Sequence, residues 1–171
     1  QALLEIALVA PIILLLLMGL IQFALIFERQ IGIENAVREA ARRTAALAAP
    51  DDATAQTNAD WALLQLKTLL GNSQDHEASR DTISVCIFTP ASPDNVDPSG
   101  NSQVMVKITE SYRHPLWLPI VDLILDPIDG KTDQSLNVTT SSEFHVEQSG
   151  SNSVGSSVYA RTDPSDTSAC S

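Results

Sequence analysis

Residues Ile6 to Phe27 read IALVAPIILLLLMGLIQFALIF, and Glu5 stands immediately before them. Only the neutral Gln22 interrupts the apolar run. As a helix rising 1.5 Å per residue, it can span a hydrocarbon layer of roughly 30 Å. A helix buried in a soluble core is rarely apolar on every side. A cleaved secretory signal has a shorter apolar region behind a basic segment. The run is therefore expected to be a mature membrane anchor. Pro11 lies inside it, where the lost backbone hydrogen bond permits a kink or a short non-helical stretch.

Glu5 is the costly residue. A carboxylate in the middle of a membrane costs about 2.5–3.5 kcal/mol on insertion scales, and less near an end. Arg29, the nearest basic side chain, would be about 36 Å away along a straight helix. The expected local partner is the α-amino group of Gln1, which shares a helix face with residue 5, or the same group of a neighbouring copy. In a stack of axially offset copies, one subunit's amine would meet the next subunit's Glu5. Both charges would then be neutralised only on assembly.

Beyond the anchor the helical pattern continues. Ile33, Val37, Ala40, Thr44 and Leu47 recur at spacings of four and three, which predicts an amphipathic stripe. Glu34 with Arg38 and Glu39 with Arg43 are i,i+4 pairs in the favourable order, acid first. Ala36 with Ala40 and Ala41 with Ala45 give small-xxx-small spacings that allow close helix approach; alanine also simply favours helix. Pro50 and Asp51-Asp52 end the pattern. A helix from 2 to 49 would be about 70 Å long and would need a partner outside the bilayer. Sister helices in a filament core would supply one, with Ile33, Val37, Ala40 and Thr44 at the subunit interface.

The run Ala2-Leu3-Leu4-Glu5-Ile6-Ala7-Leu8-Val9-Ala10-Pro11, followed by Asn35-Ala36-Val37-Arg38-Glu39-Ala40-Ala41-Arg42, resembles the mature N-terminus of type IV pilin-like proteins. It is most similar to the TadE group of Tad pseudopilins. The resemblance covers about the first 45 residues. It implies a leader removed by prepilin peptidase to leave Gln1 first, and a cytoplasmic N-terminus before processing. It also implies an inner-membrane stage, a Tad-type assembly machine driven by a cytoplasmic ATPase, and an external C-terminal domain.

The bulk numbers fit that division. The chain has 171 residues and a net charge of −11, and its mean hydropathy of +0.05 averages two different materials. Up to Ala49 the acids Glu5, Glu28, Glu34 and Glu39 cancel Arg29, Arg38, Arg42 and Arg43, so the negative charge falls wholly on the remainder. An acidic outer domain repels nucleic acid and anionic lipid. The remaining chain, about 120 residues, suffices for one modest core.

The expected fold class is α+β: a long N-terminal apolar helix, then a small, mainly antiparallel β domain with a short helix packed on it. The boundaries are expected at 1–49 for the helix, 50–148 for the external domain and 149–171 for a Ser/Gly-rich tail. Ala53 to Asn58 reads as a polar linker. Asn58 or Asp60 would cap a helix carrying Trp61, Leu64, Leu66, Leu69 and Leu70, stopped by Gly71-Asn72. Strands are expected at Thr82–Thr89, Val104–Tyr112 and Leu136–Val146, with a turn-rich loop from Pro90 to Asn101. HPLWLPIVDLILDPI, from His114 to Ile128, is more apolar than one covered helix face needs. It would plug the open side of the sheet, contact another subunit or lie on the membrane surface. In the tail, which would be disordered alone, only Ser157-Val158-Tyr159-Ala160 and Cys170 offer anchors. Cys86 and Cys170 are the only cysteines. If this part is exported, a disulfide between them is the simple reading, against two unrelated free thiols.

No catalytic constellation is legible. His76, His114 and His145 are scattered, and there is neither a phosphate-cradling glycine loop nor a zinc pattern. Asp94, Asn95, Asp97, Ser99 and Asn101, or Asp126, Asp129 and Asp133, could surround Ca²⁺. Neither set has EF-hand order: Met105 stands where the bidentate Glu would fall after Asp94. Acid-rich turns are usually turns, and no cofactor, metal or enzymatic activity is expected. The leading reading is a structural pilin subunit that polymerises through Gln1, Glu5, Pro11 and the stripe into an extracellular Tad-like pilus. The alternatives are a minor pseudopilin that primes or tips such a pilus, and a membrane-anchored monomeric adhesin or binding protein.

Overall fold

The computed structural model describes residues 2–71, 80–89, 103–116, 135–146 and 158–161. Two helices precede four strands: α1 (Ala2–Ala45), α2 (Asp52–Gly71), β1 (Asp81–Phe88), β2 (Met105–Pro115), β3 (Ser135–His145) and β4 (Val158–Arg161). The fold is α+β, as expected: a long apolar N-terminal helix, then a small antiparallel sheet with a shorter helix.

α1 runs unbroken through Pro11, so the missing N–H produces no interruption of the helix. It ends at Ala45, four residues before the expected stop. The Leu47 N–H turns back to the Thr44 carbonyl at 3.0 Å, a tight i→i−3 closure of the kind that finishes helices. Pro50 then biases Ala49 away from helical backbone.

α2 begins earlier than the sequence suggested, and residues 53–58 are helix, not linker. Asp51 is the cap: its Oδ1 accepts the Thr54 N–H at 2.7 Å, the bond an N-cap side chain makes to the third helical residue. Asn58 instead donates from Nδ2 to the Ala48 carbonyl at 2.9 Å, while Asp60 accepts from Gln56. The buried face also differs. Ala55, Ala59, Ala62, Leu66 and Leu70 face inward, at helical spacings of four, three, four and four. Leu64, two positions from Ala62 and from Leu66, therefore points outward and is 62% exposed.

The sheet order is β3-β2-β1-β4. β1 pairs antiparallel with β2, Val85 opposite Ile108, and antiparallel with β4, Val85 opposite Ala160. Three contacts tie β2 to the β3 side: the Val146 N–H to the Val104 carbonyl at 2.9 Å, Thr139 Oγ1 to Ser111 Oγ at 3.1 Å, and Lys107 to Glu143 at 3.4 Å. One number falls as the other rises, so this pair is antiparallel too. The alternation expected in β2 is present: Val104, Val106 and Ile108 are buried, and Lys107 and Thr109 lie on the more open face. The Val158-Tyr159-Ala160 run, expected only to anchor a loose tail, supplies the fourth strand. α2 packs against β1 and β4.

The chain divides into two compact units. One comprises Gln1–Ile31 with Arg113–Val138, the other Gly32–Tyr112 with Thr139–Ser171. In the second unit α1 itself contributes Ile33, Val37, Ala40 and Ala41 to the core. Ile33, Val37, Ala40, Ala41, Ala55, Ala59, Ala62, Leu66, Ile83, Val85, Ile87, Val106 and Ile108 form one buried cluster. In the first unit Ile26, Leu116 and half-buried Leu136 form a smaller one. Leu116 belongs to the apolar segment beginning at His114; the rest of that segment, from Trp117 to Ile128, lies outside the described residues.

Candidate assembly surface

From Ile6 to Phe27 α1 leaves most of its apolar side chains uncovered, although Ile26 is buried. Ile6, Leu8, Leu16, Leu20, Ile21 and Phe27 are each 60% exposed or more. α1 is the one helix among the described residues long and apolar enough to cross a membrane. Such a surface cannot stay in water: at about 25 cal/mol per Å² of apolar area, covering it with lipid or protein is worth tens of kcal/mol.

Glu5 is exposed on this helix, on a face it shares with the apolar Ile6, Val9, Ala10 and Ile13. Among the described residues nothing forms an ion pair or hydrogen bond with it. Pro11 is exposed two turns further on. Gln1, the expected partner of Glu5, lies outside the described residues.

The stripe residues stand elsewhere. Ile33, Val37, Ala40 and Thr44 were expected at a subunit interface, but each is no more than 1% exposed within a single chain. The chain's own domain covers them, so that assignment is corrected. The reason is the chain's alanine content: small side chains at Ala40, Ala41, Ala55, Ala59 and Ala62 let backbone segments of one subunit approach closely. Thr44 meets its burial by donating its hydroxyl to the Ala40 carbonyl at 2.8 Å. The other side of this part of α1 faces solvent and carries the expected pairs. Arg38 bonds Glu34, and Glu39 receives Arg43 at 2.7 Å and Arg42 at 3.1 Å.

Two polar groups inside the protein escaped sequence reasoning. The Gln22 side-chain amide is buried without a hydrogen-bond partner; its break in the apolar run was the available signal. Glu110 lies on the inward face of β2, fully buried, with neither carboxylate oxygen bonded. The even-numbered alternation of Val104, Val106 and Ile108 runs straight into it, and could have flagged it.

Cys86 is buried in the middle of β1, and Cys170 lies outside the described residues. So do His76 and both acidic clusters considered for Ca²⁺, at 94–101 and 126–133; His114 is half-buried and His145 exposed.

No curated protein and no solved structure matched the chain. A family model described as TadE-like protein matches residues 1–42, which are nearly the whole of α1 and include Glu5 and Pro11. Over that N-terminal segment the chain is similar to TadE-like proteins, consistent with a TadE-like Tad pseudopilin.

Proposed function

We propose that this protein is a structural pilin subunit: α1 holds it in the inner membrane until an assembly machine draws it into an extracellular, Tad-like filament. The observation that carries the reading is the division along α1. Its first half is apolar and mostly bare, with Gln22 and Ile26 buried, while one face of its second half is covered by the subunit's own domain. The bare half has two environments in which to bury itself, first lipid and then the same half of sister subunits. Close packing between subunits thus falls to residues 5–27, with Glu5 answered by a cationic group of an adjoining copy. Prepilin peptidase and the pilus machinery are its processing and assembly partners. Cys86 pairs with Cys170; the support for this is that Cys86 is not a free thiol and that the sequence holds no other cysteine to join it.

The test is Glu5→Leu, followed in filaments sheared from cells and in membranes. A membrane level unchanged from wild type, with loss from filaments, is the expected result. Filaments of wild-type abundance would remove the role of the carboxylate. Wild-type protein confined to membranes would instead make α1 a simple anchor for a monomer.

A further inference from the structure

Glu110 is placed where a charge has no support. It stands on β2 directly opposite Ile83 of β1, so the two side chains share a face. Ile108 and Tyr112 flank it on its own strand, and all three neighbours are buried. The helical residues that enter this core are Ile33, Val37, Ala40, Ala41 and Ala49 of α1 and the loop after it, and Ala55, Ala59, Ala62, Leu66 and Leu70 of α2. None carries a charge. Following the β2–β3 contacts, the residue opposite on β3 is Thr140, half-buried and not ionisable. Among the described residues the titratable groups on this face are thus Tyr112, a neutral phenol at ordinary pH, Asp81, which the register sets opposite Tyr112, and His114, four positions from Glu110 toward the end of β2. Lys107 and Glu143 pair on the other face. Among the described residues no cationic group bonds to Glu110, and the charged neighbour that acts on it, Asp81, has its own sign.

We infer that Glu110 is a proton-binding switch in the sheet: the folded domain carries it neutral, and its ionisation loosens the β1–β2 half of the core. Burial is the larger cause and the nearby Asp81 the smaller; together they raise the carboxyl from 4.5 to about 8. The sign follows. In the unfolded chain the group ionises near 4.5, so folding above that value must take up a proton. The folded state loses ground steadily as pH rises from about 4.5 to about 8, and no further once both states are ionised. Acidification also relieves the general repulsion of a chain at −11, but that effect is spread over many carboxylates. A single substitution separates the two.

The experiment compares the full chain and Glu110→Gln in detergent micelles. Thermal unfolding from pH 5 to pH 9 is expected to show the wild-type Tm falling toward the alkaline end. The variant should have a flatter profile that lies above the wild type at pH 8–9. Parallel profiles would overturn the inference. A second measurement needs no variant: with ¹³C-labelled glutamate carboxyls, one resonance of the folded wild type should still be protonated at pH 7. If every glutamate is ionised there, Glu110 is not the switch.

Discussion

Asp51 shows what one side chain does in this fold. It ends the sharp connection after α1 and starts α2 by accepting the Thr54 N–H. That hydrogen bond holds its carboxyl below the usual aspartate range, although the group is fully solvated. The lowered value means the cap contributes above the ordinary aspartate pKa and is lost as pH falls through the folded one. Asp51→Ala should lower the Tm by a few degrees at neutral pH, and the deficit should shrink in strong acid. Asp51→Asn keeps a capping oxygen and should remove the acid dependence while largely retaining the Tm. Thermal melts of the three proteins between pH 2 and pH 7 decide it. Asp51 and Glu110 are opposites: a solvated carboxylate held ionised by a donor, and a buried one held neutral by their absence.

Among the elements, α1 is one helix with two duties, and a matched pair of substitutions separates them. Ala59→Leu inserts three carbons into a face of α2 that is fully buried among other alanines. Overpacking of this kind costs about 1–3 kcal/mol, visible as a lower denaturant midpoint. Ala24→Leu adds the same volume to the exposed surface of α1 and should leave the midpoint unchanged. The sequence made the helices, three strands, the alternation of β2 and the surface ion pairs of α1 legible, since periodicity and i,i+4 spacing are local. It misassigned the stripe, because an apolar face at helical spacing looks the same whether a sister subunit or the chain's own sheet covers it. The inward face of α2 was missed for a related reason: alanine signals little burial, yet Ala55, Ala59 and Ala62 are fully buried, while the more conspicuous Leu64 is exposed. β4 was hidden in a Ser-rich stretch, where four residues become a strand only because β1 offers an unfilled edge.

For the whole molecule, the proposed bond between Cys86 and Cys170 joins the strand at the heart of the sheet to the last stretch of chain. Its loop spans most of the external domain, so closing it should stabilise by about 4 kcal/mol in the chain-entropy model. Cys170→Ser should unfold at a lower temperature than wild type in oxidising buffer and at the same temperature in the presence of reductant. Coincident melts in both buffers would show that the two cysteines do not form this link. The domain that the bond encloses would be the part of the subunit facing outward, and its acidity suits a solvated filament surface.

The pairing of β1 with β4 also orders events in time. β1 has β2 on one side and receives its second neighbour only from residues 158–161. A chain delivered across a membrane from its anchored end exposes β1, then β2, then β3, and for that whole interval one edge of the middle strand is bare. On the proposed route of export, the sheet is therefore complete only after residues 158–161 have emerged. Until then the unfilled edge is open to any passing strand, so neighbours emerging together are at greatest risk of mispairing just before each one closes on itself.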